Sequence, residues 1–299
     1  MQALATRINP TFFSFWIGAN DILLYSLSGG DQGGETLTPD ANFQFAYSSM
    51  INSLTANGAK GVVANIPSIT SIPYFNTVKW NGLTMDATQA SGANSNPQLV
   101  GYNQALQGAA GAGLITQAEA AARTITFAAG DNAFVVTDGS LTSIVLPPGS
   151  GNPPLPNMRQ IKGNEHIIMV TPGDSLRCAG WGSSKPLAEN YTLLDSEVNG
   201  INAKVASYNS FIKSQANTKG LAFVDANKIM SELETGLVYD GVTYNAAYVS
   251  GGAFSLDGVH PNTRGYAIIA NSFIDAINST YGAKVPKVDV NSYEGIQFP

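Results

Sequence analysis

Phe12-Phe13-Ser14-Phe15-Trp16-Ile17-Gly18-Ala19-Asn20-Asp21 is an apolar, aromatic run that closes on a glycine, an amide and a carboxylate. Phe12–Ile17 is interrupted only by Ser14 and shows no polar alternation, which predicts a strand buried on both faces of a parallel sheet. A Gly-rich loop follows from Ser28 to Gly34. Thr38-Pro39 then predicts a helix start, with a hydroxyl at the N-cap and proline at the first helical position. Phe43, Tyr47, Met50 and Leu54, spaced by four, three and four, fall on one face of that helix. Asn57-Gly58 ends it, and Gly61–Ile66 reads as a second buried strand. Strand, helix, strand in this order predicts a right-handed parallel crossover.

The same alternation returns near the end of the chain. Leu194, Val198, Ile201, Val205, Tyr208 and Ile212 keep a helical three/four spacing up to Gly220, and Leu221–Asp225 predicts a third strand. After Pro261 a last helix is expected, with Tyr266, Ile269, Phe273, Ile274 and Ile277 on its apolar face and Gly282 at its end. From Val285 the tail is Pro-punctuated and expected to lie extended on the surface. Three strands alternating with amphipathic helices predict an α/β fold: a three-layer α/β/α domain over 1–299 with a mostly parallel sheet. Residues 67–189 are less regular and read as a long insertion. They hold a helix near Gln98–Leu114, a strand pair within Thr124–Val136 and a Pro/Gly loop at Pro147–Pro156.

Composition narrows the function classes. Hydrophobic residues make up 44 % of 299, enough for a substantial core. Charged residues are only 12 % and the net charge is −6 with no Lys/Arg cluster, which argues against nucleic acid and against anionic membranes as partners. One cysteine, Cys178, excludes an internal disulfide and reads as a small residue of a loop or core. Two distant histidines and no metal-binding pattern leave metal ions and cofactors unexpected. Met1–Arg7 lacks the pattern of a signal peptide, while the Asn/Thr/Gly-rich surface suits an exported bacterial protein whose full-length form carries one.

The candidate chemistry sits at Phe254-Ser255-Leu256-Asp257-Gly258-Val259-His260-Pro261, just before the last helix. Asp257, three residues before His260 across a Gly-marked turn, is placed to hold Nδ1 and leave Nε2 free as a base. The plainer alternative is a helix-capping Asp beside a surface His. At the other site, Gly18 and Asn20 end the first strand, where an amide and backbone N–H groups serve an oxyanion. Their plainer reading is a strand-ending turn. Open α/β sheets bind ligands at the carboxyl ends of their strands, and both stretches are expected at that rim.

Together the G-A-N-D and D-G-V-H stretches resemble the GDSL/SGNH family of serine esterases and lipases. The resemblance implies an SGNH/flavodoxin-like sheet and a carboxylester substrate. It gives Asn20 and Gly18 to the oxyanion hole, Asp257 and His260 to the catalytic triad. The family's nucleophile block precedes its G-x-N-D block, and only seventeen residues precede Gly18, so the N-terminal part of a family domain is expected to be missing. A literal Gly173-Asp174-Ser175-Leu176, preceded by His166-Ile167-Ile168-Met169-Val170, makes Ser175 the tentative in-chain nucleophile. The other account places the nucleophile ahead of Met1. Without its neighbour, Phe12–Ile17 would form an open apolar edge, expected to be covered by the Ile167–Val170 strand, a homo-oligomer partner or a complementing segment. The alternative to an enzyme is a non-catalytic, hydrolase-like binding or surface protein.

Overall fold

A computed structural model describes residues 7–145 and 154–296; Met1–Thr6 and most of the loop expected at Pro147–Pro156 lie outside the described residues. The chain divides into two compact units, one made of the described residues of Met1–Leu27, Gly34–Thr77 and Asn199–Pro299, the other of Ser28–Gly33 and Val78–Val198. The architecture is mixed α/β, with a small parallel sheet and several antiparallel pairs.

The first unit is built on three parallel strands, β1 (Phe12–Phe15), β2 (Lys60–Ala64) and β3 (Ala222–Val224), in the order β1–β2–β3. Phe13 pairs with Gly61, and Val62 pairs with Ala222. Helices α1 (Asn20–Leu27) and α2 (Asp40–Thr55) connect β1 to β2, and α3 (Asp195–Lys219), which belongs to this unit from Asn199 on, leads into β3. Helices α4 (Ala226–Thr235) and α5 (Thr263–Tyr281) follow. On one face Phe15 meets Tyr47 edge-on, and Phe43 stacks on Tyr208 with ring centroids 3.8 Å apart. On the other face Val62, Ala64, Ala222 and Val224 pack against Phe273, Ala276 and Ile277 of α5. The Tyr281 hydroxyl donates to the Gly61 carbonyl at 2.7 Å and locks the end of that helix to β2.

Several expectations need correction. The predicted strand Phe12–Ile17 is two residues shorter and buried on one face only: Phe13 and Phe15 are buried, while Phe12 is 42 % exposed and Ser14 is exposed. The reason is position, because β1 is an edge strand among the described residues, whereas Val62, Val63 and Ala64 of the central β2 are buried on both faces. Helix α2 begins at Asp40 with Pro39 as an N-cap that makes no side-chain cap bond, so Thr38 is not the cap. Asp40 instead joins Lys204 and accepts from Ser207 Oγ at 2.5 Å. Its buried stripe is Phe43, Tyr47 and Ile51, with Met50 and Leu54 half-buried beside it. On α5 Tyr266 is 49 % exposed, and the buried positions near the start are Gly265, Ala267 and Ile268. The tail from Val285 does run over the surface as expected, with Val285, Pro286 and Lys287 exposed, and it is pinned there: Val290 is fully buried and Val288 exchanges two hydrogen bonds with the Asn271 side chain. Leu194, Val198, Ile201, Val205, Tyr208 and Ile212 are all buried, as their spacing predicts.

The second unit holds three consecutive helices, Ala87–Asn94, Pro97–Gly111 and Gln117–Arg123, around a core that includes Tyr102, Leu106, Ile115, Ile125 and Ile144. Each helix starts on a side-chain cap, from Asp86, Asn96 and Thr116 in turn. The strand pair expected within Thr124–Val136 does not form. Gly130–Asn132 pairs with Leu83–Met85, and Val135–Thr137 pairs with Met158–Gln160, both antiparallel. A buried ion group sits beside them: Arg159 meets Asp138 at 2.7 Å and Glu165 at 2.6 Å. Of the expected Ile167–Val170 strand only Ile167 is in a strand; it follows His166, and the two pair with Thr192–Leu193 of their own unit. The expected cover of the β1 edge by this stretch is therefore not formed, since Thr171-Pro172 turn the chain into a short helix, Gly173–Cys178. Cys178 ends that helix and is exposed, so the core alternative for it falls away.

Candidate active site

The turn at Ser255–His260 is shaped by its own backbone before any side chain acts. Ser255 N donates to the His260 carbonyl at 2.8 Å, Gly258 N donates to the Ser255 carbonyl at 3.1 Å, and Gly258 sits at φ +71°. That left-handed conformation suits glycine. Tyr74 N ties the turn down by donating to the Gly258 carbonyl at 2.9 Å. Inside it, Asp257 Oδ1 accepts from Ser255 Oγ at 2.6 Å and from the backbone N–H groups of Val259 and His260, both at 2.9 Å. Asp257 Oδ2 lies 2.7 Å from His260 Nδ1. The carboxylate is therefore fixed from one side by three donors and presents its other oxygen to the ring.

This geometry removes the helix-capping role for Asp257. The cap of α5 is Asn262, whose side chain accepts from Gly265 N at 2.9 Å. Asp257 is free of capping duty and spends its acceptors on the turn and the imidazole. With the carboxylate on Nδ1, the ring carries its hydrogen there and Nε2 is the basic atom. His260 is 64 % exposed and Asp257 49 %. Partial burial pushes the Asp257 carboxyl up, but the Ser255 hydroxyl, the His260 ring and the two backbone N–H groups hold it well below the usual carboxylate range.

A carboxyl depressed on folding adds stability that is complete above its unfolded value, near 3.8, and is lost as pH falls through the folded value. The gap in unfolding midpoint between the wild type and Asp257→Asn is expected to narrow as pH falls below about 4. A gap that stays the same from pH 5 down to pH 2 would mean that the carboxyl is not held down in the folded chain.

The oxyanion candidates sit at the end of β1. Gly18 has φ +105°, and its carbonyl accepts from Asp21 N at 3.2 Å to open α1. A Cβ at Gly18 would come 2.8 Å from Phe43 and 2.9 Å from Ile66. Gly18 is thus required by the backbone and the core beneath it. Gly18→Ala is expected to cost about 2–3 kcal/mol, from backbone strain plus overpacking. A loss of stability from urea unfolding of less than a third of that would show that the turn relaxes freely.

Asn20 is the first residue of α1, exposed, and lines the same cleft as His260. That cleft has a volume of about 240 Å³ and is formed wholly by residues of the first unit. Apart from Asn20, His260 and the polar tips of Trp16 and Tyr266, its lining side chains are apolar. No serine, threonine or cysteine is among the described residues that line it. Ser175 belongs to the second unit, half-buried on the helix Gly173–Cys178, where its carbonyl accepts from Ala179 N and its hydroxyl has the setting of a surface helix turn. The structure thus brings Asn20 and His260, whose ring Asp257 holds, to one cleft, and Ser175 is not among its described lining residues.

Sequence reasoning passed over Ser255 and Asn262. Both were legible: S-x-D places a hydroxyl across a turn from its carboxylate, and N-x-x-G after a proline marks a helix N-cap. Among the described residues no three or more His, Cys, Asp or Glu side chains cluster as a metal site, and no helix is long and apolar enough to cross a membrane. No protein-family model, curated protein or solved structure matches this chain.

Proposed function

We propose that the chain is a serine carboxylester hydrolase of the GDSL/SGNH type, working through an acyl-enzyme. His260 Nε2 takes the proton of the attacking hydroxyl, and the alkoxide adds to the ester carbonyl. Asn20 Nδ2 donates to the oxygen that becomes negative, and Asp257 stabilises the imidazolium. The protonated Nε2 then delivers its hydrogen to the leaving alcohol. Water repeats the cycle on the acyl-enzyme, releasing the acid and restoring the serine. The observation that carries this reading is the 2.7 Å contact of Asp257 Oδ2 with His260 Nδ1 at the mouth of the cleft that Asn20 also lines.

The finer fold reading belongs with it. Three parallel strands with helices packed against both faces support a three-layer α/β/α domain of SGNH/flavodoxin-like type. In that arrangement the β1 edge is where a further strand would pair. Ser175 is the serine that carries the family's motif; a segment paired with β1, from a second copy or a complementing chain, is the other source of the nucleophile. One observation favours a second reading, a binding protein with a hydrolase-like cleft: that cleft holds no serine, threonine or cysteine among its described lining residues. Covalent labelling by a fluorophosphonate separates the two.

A further inference from the structure

The walls of the cleft define what it takes. Its apolar side chains come from three helices and two loops of the first unit: Trp16 after β1, Leu23 on α1, Ile69 in the loop after β2, Ile229 and Met230 on α4, and Ile269 on α5. The Trp16 indole N–H is already given to the Asn65 carbonyl at 3.0 Å, so it offers its ring and not its donor. No Asp, Glu, Lys or Arg lines the space. An ionic group drawn inside would lose its hydration with no counter-charge, and a polyhydroxylated one would leave most of its hydroxyls unpaired. A volume near 240 Å³ is also below the ~300–1,000 Å³ of sites that hold drug-sized ligands.

We infer that the cleft is the binding site for a short, uncharged apolar acyl group, oriented so that its carbonyl end lies by Asn20 and His260. The ester head rests on the hydrolase reading above; the apolar chain rests on the cleft alone. Trp16 makes the occupant visible, because the other two tryptophans, Trp80 and Trp181, lie in the second unit.

The test uses the full chain carrying Trp80→Phe and Trp181→Phe, titrated with 1-alkanols from butanol to dodecanol while Trp16 emission is read. Each added methylene is expected to tighten binding about fourfold until the cleft is full, after which the series levels off. Ile269→Phe, at a half-buried lining position, is expected to move the levelling point to a shorter alcohol. Near-ultraviolet circular dichroism shows whether that variant keeps its packing, and Leu23→Phe, also half-buried in the lining, serves the same purpose if it does not. Binding that is independent of length, or that keeps tightening through dodecanol, overturns the assignment. Hydrolysis of p-nitrophenyl esters of the same chain lengths is read alongside. Levelling without turnover supports the cleft assignment and overturns the hydrolase reading. Turnover without levelling overturns the cleft assignment alone.

Discussion

His260→Ala is expected to lower the kcat/KM for p-nitrophenyl butyrate by about 10³–10⁴-fold, and Asp257→Asn by a similar factor. The first removes the atom that accepts the proton. The second keeps the shape of the turn but replaces one carboxylate oxygen by an amide donor. A donor facing His260 Nδ1 favours the tautomer with its hydrogen on Nε2, which cannot act as a base. Because both changes disable one unit, the double variant is expected to lose no more than the worse single one. Circular dichroism checks that the fold survives, since His260 and Asp257 are both largely exposed and neither supports the core. A fall of less than tenfold in either single variant would place the base elsewhere.

Arg159→Leu is expected to cost about 3–5 kcal/mol of stability, the typical penalty for breaking a buried ion pair by removing one partner. Arg159 Nε lies 2.7 Å from Asp138 Oδ2, and its two terminal nitrogens meet Glu165 at 2.7 Å and 2.6 Å. All three side chains are nearly inaccessible, so leucine in place of arginine leaves two carboxylates without their cation. Burial pushes Asp138 up, but the hydrogen bonds from Ser140 and Arg159 and the Arg159 charge hold it below its ordinary value. Without Arg159 the burial effect loses much of its opposition. The variant's deficit is then largest at neutral pH and shrinks as pH falls toward 4 and the Asp138 carboxylate takes up a proton. Urea unfolding at pH 7 and pH 4 measures both values, and a deficit below about 1 kcal/mol at pH 7 would mean that water reaches the group.

Where the sequence succeeded, a local pattern and the tertiary structure agree. The stripe from Leu194 to Ile212 is buried as its spacing predicts, because a long helix shows its period over many turns. The Asp257–His260 pair was legible for a different reason: both residues lie in one tight turn, so chain spacing nearly fixes their distance. The misses come from information that is not local. Phe12 and Ser14 look like the interior of a sheet, yet their exposure depends on whether a neighbour pairs with β1. Gly130–Asn132 and Val135–Thr137 are short strands with partners far along the chain, which no hairpin signal announces. Met169-Val170 is apolar enough for a strand, but Thr171-Pro172 ends it, and the Gly173–Leu176 match falls on a helix rather than a strand end. Tyr266 and Ile269 fit the helical face drawn for them and line a cleft instead, because a cavity uses the same residue types as a core.

The most direct test of the central claim is labelling of the full-length chain with a fluorophosphonate, mass spectrometry to locate the adduct, and His260→Ala as the control. The account predicts one phosphonylated serine whose labelling disappears in His260→Ala, which would also identify the nucleophile that His260 Nε2 serves. A wild-type chain that remains unlabelled, or a label that persists unchanged without His260, would contradict it.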